Sequence, residues 1–96
     1  MLVTNHLRLN WRQFLRVVNN LPRTREEREK GFPIPDKHDQ SPYKTARIEG
    51  GQLVLLKEDP KTKQIDEYGV KLSDAQYPKL HRALDESAQT ILHYGI

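Results

Sequence analysis

The sequence predicts an α+β domain: a three-stranded antiparallel β-meander with an N-terminal and a C-terminal helix packed on it, in the order α-loop-β-β-β-α. Three features lead there. Apolar residues recur at helical spacing over residues 11–21 and again over 80–92. Between them, from 43 to 72, lie short runs rich in aliphatic residues. Those runs are cut by Gly50-Gly51 and by Asp59-Pro60, both turn signals. A chain of 96 residues has room for one domain.

The first helix, over residues 10–21, has a marked start. Asn10 is a good N-cap, and Gln13 three residues on completes a capping-box spacing. Leu9 and Phe14 stand at the spacing of a hydrophobic staple. Trp11, Phe14, Leu15, Val18 and Leu21 then make one apolar stripe, expected to be core, with Arg12 and Arg16 opposite. Pro22 closes the helix, because the residue before a proline avoids the helical region.

Residues 22–42 read as a flexible polar, proline-containing loop. Thr24 and Glu27 have capping-box spacing, and the run from Thr24 to Lys30 places opposite charges at helical distances. It holds no apolar residue, so one or two surface turns of helix, or a mobile loop, are expected. Gly31 to Pro35 should be extended, with Phe32 and Ile34 pinning it to the body. Asp36 to Ser41 has loop composition.

The meander assigns strands to Tyr43–Glu49, Gln52–Glu58 and Lys63–Leu72. A two-residue Gly-Gly loop pairs Glu49 with Gln52, Ile48 with Leu53 and Ala46 with Leu55. A four-residue loop at 59–62 pairs Glu58 with Lys63 and Leu56 with Ile65. One face then carries Ala46, Ile48, Leu53, Leu55, Tyr68 and Val70. The other carries Val54, Leu56 and Ile65, with Tyr43, Thr45 and Arg47 around them. Its apolar centre calls for a cover, and the first helix is the expected one; otherwise a partner protein or a second copy takes that place.

Ser73 and Gln76 have capping-box spacing before the last helix, and Pro78 suits a first helical position, so the main helix is expected from about Pro78. Leu80, Leu84, Ala88, Ile91 and Leu92 form its stripe, and Gly95 suits the position after its end. The order of elements across residues 43–92 resembles that of two DNA-binding folds, the plant ethylene-response domain and the amino-terminal domain of some phage and transposon integrases. That resemblance implies an exposed polar sheet face as the reading surface, and Val54, Leu56 and Ile65 on the second face depart from it.

Composition narrows the function. With 35% hydrophobic and 30% charged residues the core is small. The absence of cysteine excludes disulfides, thiolate metal sites and cysteine nucleophiles, and leads us to expect a reducing, cytoplasmic setting. No apolar run approaches the ~20 residues of a membrane span, so no membrane partner is expected. The start MLVTNHLRLN lacks the layout of a signal peptide. His6, His38, His81 and His93 show no metal-ligand spacing. The acids Glu58-Asp59 and Asp66-Glu67 read as solvation of a turn, and no phosphate-binding glycine pattern or nucleophile elbow is present. No catalytic residue, metal or cofactor is expected.

The charge map supplies the functional lead. Of the net charge of +3, residues 1–50 carry +4 and residues 51–96 carry −1. Guanidinium groups bind carboxylate or phosphate in two-pronged fashion, and an aromatic beside them can stack on a base. The expected partner-binding residues are Arg8, Arg12, Arg16, Arg23 and Arg25, with Arg47 and Tyr43 on the sheet. Apolar partner contacts are expected at Phe32, Ile34, Val54, Leu56 and Ile65. Together they suggest a small non-enzymatic binding protein that regulates or inhibits a larger macromolecule through protein–protein contacts. The alternative is nucleic-acid binding through the arginine-rich N-terminal helix. Monomer and homodimer are both compatible with the sequence.

Overall fold

A computed structural model describes residues 5–35 and 41–94. Along these residues the elements are β1 (Asn5–Leu7), α1 (Trp11–Val18), α2 (Arg25–Lys30), β2 (Phe32–Pro33), β3 (Tyr43–Glu49), β4 (Gln52–Glu58), β5 (Ile65–Val70) and α3 (Gln76–Tyr94). The fold class is α+β, with the meander β3-β4-β5 at its centre. The sheet is larger than the meander: its order is β1-β5-β4-β3-β2. β1 runs parallel to β5, and the other neighbours are antiparallel. Both added strands come from the N-terminal part of the chain. They are three and two residues long, too short to leave a period in the sequence.

α1 starts as its capping box dictates. Gln13 N donates to Asn10 Oδ1 at 2.8 Å, and Asn10 N donates to Gln13 Oε1 at 3.1 Å. Its buried face differs from the expected one. Phe14 and Val17 are buried, followed by Leu21 beyond the helix end, whereas Leu15 and Val18 are half-buried. Trp11 is 46% exposed and leans on Phe14 with ring centroids 5.3 Å apart. Two overlapping stripes exist on α1, and the sheet selects the one through 14, 17 and 21. Phe14 and Val17 join Ala46, Leu53, Leu55 and Val70 in one core cluster with Leu80 of α3. Hence α1 lies on the same sheet face as α3 and does not cover the second face.

α2 is the capped surface helix, with Glu27 N donating to the Thr24 hydroxyl at 3.2 Å and no buried residue. Phe32 and Ile34 are fully buried, and Ile34 N donates to the Lys44 carbonyl at 3.0 Å. They anchor β2 as expected. For the same reason neither is open to a partner, which corrects that assignment. Residues 36–40, His38 among them, and Gly95 lie outside the described residues.

The first hairpin has the expected register, Glu49 with Gln52 and Ala46 with Leu55. Gly50 and Gly51 take φ of 57° and 79°, the left-handed region that a two-residue hairpin of this kind requires. In the second hairpin Glu58 pairs with Ile65 and Leu55 with Tyr68, two residues away from the expected pairing. The four-residue loop is there, but at 60–63: Asp59 N donates to the Gln64 carbonyl, and Lys63 N to that of Asp59. Lys63 supplies the left-handed residue, φ 63°. An even slip keeps every side chain on its expected face. Ala46, Leu53, Leu55 and Val70 are accordingly buried under the helices. Tyr43 is the exception. A bulge between Tyr43 and Thr45 pairs it with Lys57 and turns it to the helix face, where its ring meets Tyr68 edge-on at 5.5 Å.

The reciprocal pair predicted at the start of α3 is present: Gln76 N donates to Ser73 Oγ and Ser73 N to Gln76 Oε1. The helix runs through Pro78, which falls in the first turn where its missing N–H has no helical partner to lose. Buried Gln76 also donates its Nε2 to the Leu9 carbonyl at 3.0 Å, tying α3 to the approach of α1.

Candidate functional site

An open groove of about 830 Å³ lies where α2, the β3–β4 hairpin and the C-terminal half of α3 converge. Each wall follows from helical spacing. On α2, Arg25, Arg28 and Glu29 stand at i, i+3 and i+4 and so share the face turned to the groove. On α3, Ala88, Ile91 and Leu92 have the same spacing. Ile91 is buried, while Leu92 is 72% exposed. The floor is Ile48 with Gly50 and Gly51. From this floor the groove continues into an apolar hollow of about 100 Å³ between Pro22, Leu84 and Ala88. Ser87 holds its rim, donating its hydroxyl to the Pro22 carbonyl at 2.6 Å.

The electrostatics of the walls are uneven. Among the described residues, neither the Arg25 nor the Arg28 side chain has a hydrogen-bond or ion-pair partner. The acids nearby are largely committed. Glu27 Oε1 accepts from Arg23 N at 3.2 Å and from the Thr24 hydroxyl at 3.5 Å, and Glu26 meets Lys30 at 3.5 Å on another face of α2. Glu49 is bound to Arg47 at 3.0 Å. Glu29 is the one acid of the lining without a partner among the described residues.

Arg47 sits at the rim and reaches the second sheet face. Its Nη2 donates to Glu49 Oε2 and to Glu67 Oε1, both at 3.0 Å. The Glu67 bond runs from β3 to β5 and therefore crosses β4 between Val54 and Leu56. Val54 is fully buried on this face and stands outside the core cluster that α1 and α3 share with the sheet. The cover expected to be α1 is instead a lattice of polar side chains. Gln52 and His6 belong to it, since a Cβ on Gly69 would lie 2.7 Å from Gln52 Nε2 and 3.1 Å from His6 Cδ2. Burial works against the Arg47 charge, but the hydrogen bonds and charges of Glu67 and Glu49 outweigh it and hold the guanidinium above its ordinary pKa.

The expected site residues are thus dispersed. Arg25 and Arg47 line the groove. Arg8 and Arg12 are exposed at the start of α1, and Arg16 donates to the Ser41 hydroxyl at 3.0 Å. Arg23 borders a shallow cleft between α1 and α3. Val54 is closed to any partner, Leu56 is half-buried, and Ile65 is 56% exposed at the far end of the sheet. Arg28, Ala88 and Leu92 escaped the sequence reading as site residues. The equal spacing of 25-28-29 and 88-91-92 is a visible signal, but only the fold brings the two triplets together. Among the described residues no group of three or more His, Asp or Glu side chains is placed to hold a metal ion, and no helix is long and apolar enough to cross a membrane. Comparison with family models, with curated proteins and with solved structures gives no match to this chain.

Proposed function

We propose that the chain is a small non-enzymatic binding domain that regulates or inhibits a larger protein by surface contact, through the groove between α2 and α3. One observation carries this reading: Leu92, 72% exposed, stands in the same open groove as two arginines whose side chains have no partner. An exposed aliphatic side chain beside unpaired guanidinium groups is the composition of an interface, where apolar anchors supply affinity and charges supply orientation and rate. Nucleic-acid binding has less in its favour. The arginines are spread over several surfaces, and Arg47 on the open sheet face is flanked by two carboxylates that would repel phosphate.

A photo-reactive residue in place of Leu92 tests the proposal in an extract of the source cells. Protease-sensitive adducts at this position, absent when the photo-reactive residue replaces Ile65, are the expected result. Adducts sensitive to nuclease and not to protease would overturn the proposal in favour of nucleic acid.

A further inference from the structure

We infer that this groove receives a short segment of a partner protein that carries carboxylates along one side and an aliphatic anchor on the other. The inference rests on the protein-binding reading above and specifies the chemistry of the ligand.

Charge complementarity is the main argument. On the α2 wall the groups without a partner are the guanidiniums of Arg25 and Arg28 and the carboxylate of Glu29. Two cations there stand against one carboxylate, so the occupant that complements this wall is anionic. Guanidinium groups favour planar, two-pronged carboxylates. The opposite wall is aliphatic, and the hollow between Pro22, Leu84 and Ala88 has about 100 Å³, a volume suited to one aliphatic side chain.

A segment alternating acidic and aliphatic residues offers these two faces when extended, because successive side chains point to opposite sides. A single-stranded nucleic acid satisfies only half of the arrangement. It supplies anions, but no aromatic residue lines the groove or the hollow on which a base would stack.

A random-peptide display selection against the full chain is the test, followed by titration of one enriched synthetic peptide. Enrichment of Asp or Glu flanking Leu, Ile or Val is expected. Arg25→Glu/Arg28→Glu should weaken the peptide at least tenfold, as should Ala88→Leu, which fills the hollow. Leu92→Ser, an exposed change, serves if either variant loses its circular-dichroism spectrum. Arg12→Glu, on α1, should leave affinity within twofold.

Enriched peptides without acids, or peptides indifferent to these variants, would overturn the inference while leaving a protein-binding domain in place. Failure to enrich any peptide would overturn it too, and together with nuclease-sensitive adducts at position 92 would overturn the broader reading as well. Two further results assign the groove elsewhere and overturn the inference: an oligonucleotide whose binding is lost in Arg25→Glu/Arg28→Glu, or a dimer abolished by Leu92→Ser.

Discussion

Replacing Phe14 by alanine should come close to unfolding the chain, while the same change at Trp11 should be tolerated. Phe14 is fully buried in the core cluster. A buried aromatic ring removes on the order of 150–250 Å² from water, worth ~4–6 kcal/mol at ~25 cal/mol per Å². Alanine keeps part of that, but it leaves a hole in the cluster that also holds Leu53, Leu55 and Leu80 and adds a cavity cost, for a net loss of about 3–5 kcal/mol. The whole domain is expected to hold only roughly 5–14 kcal/mol. At roughly 4–8 °C per kcal/mol, the melting temperature should fall by tens of degrees. Trp11 is 46% exposed, so Trp11→Ala forfeits about half a ring's burial and one tilted ring contact, about 1–2 kcal/mol. Urea and thermal unfolding followed by far-ultraviolet circular dichroism would measure both. Trp11 is the only tryptophan, so iodide should quench most of the native fluorescence. If Trp11→Ala costs as much as Phe14→Ala, or iodide leaves the emission untouched, the buried stripe of α1 is the one through 11, 14, 15 and 18 and the orientation described here is wrong.

Gly50→Ala and Gly51→Ala should each cost about 1–2 kcal/mol in urea unfolding through backbone conformation alone, since a Cβ at either meets nothing within 4 Å; Gly50→Asn should be nearly silent. Arg47→Met should destabilise by about 1–3 kcal/mol because Glu49 and Glu67 lose their common partner, and adding Glu67→Leu should recover much of it, both read from urea midpoints. Asp59 is held below its ordinary pKa by the N–H groups of Lys61 and then Thr62. A carboxyl lowered on folding adds stability above its unfolded pKa and loses it as pH falls through the folded value. Asp59→Asn should therefore flatten the acid side of the stability–pH curve, and an unchanged curve would remove the turn's carboxylate from the account.

What was legible in the sequence was local. The caps at Asn10, Thr24 and Ser73 each show as a pair of side chains three residues apart, and each forms the bond its spacing implies. Gly50-Gly51 fixed one register because few residues other than glycine take two successive left-handed conformations. The second hairpin slipped because its left-handed residue is Lys63, a choice that no propensity marks. The face of α1 was ambiguous for a different reason. Trp11 is large and apolar, but only the position of α3 and the sheet decides whether it is covered. The bulge after Tyr43 moved that ring from one side of the sheet to the other, which alternation alone has no means of signalling. The groove needed α2 and α3, 63 residues apart from Arg25 to Ala88, to be brought side by side.

The placement of β1 and β2 has a consequence for how the chain reaches its native state on the ribosome. Residues 5–34 hold both margins of the meander, β1 against β5 and β2 against β3. The N-terminal segment is synthesised first, yet Asn5 has its partner at Tyr68 and Leu7 at Val70. It must therefore wait, with Phe14, Val17, Phe32 and Ile34 unburied, until more than two thirds of the chain has emerged. The meander is built from near neighbours and is the natural nucleus, with loop-closure entropy placing the β1–β5 contact last. A nascent chain stalled before residue 65 would expose the β4 margin that β5 normally occupies, an unpaired edge open to pairing with another chain.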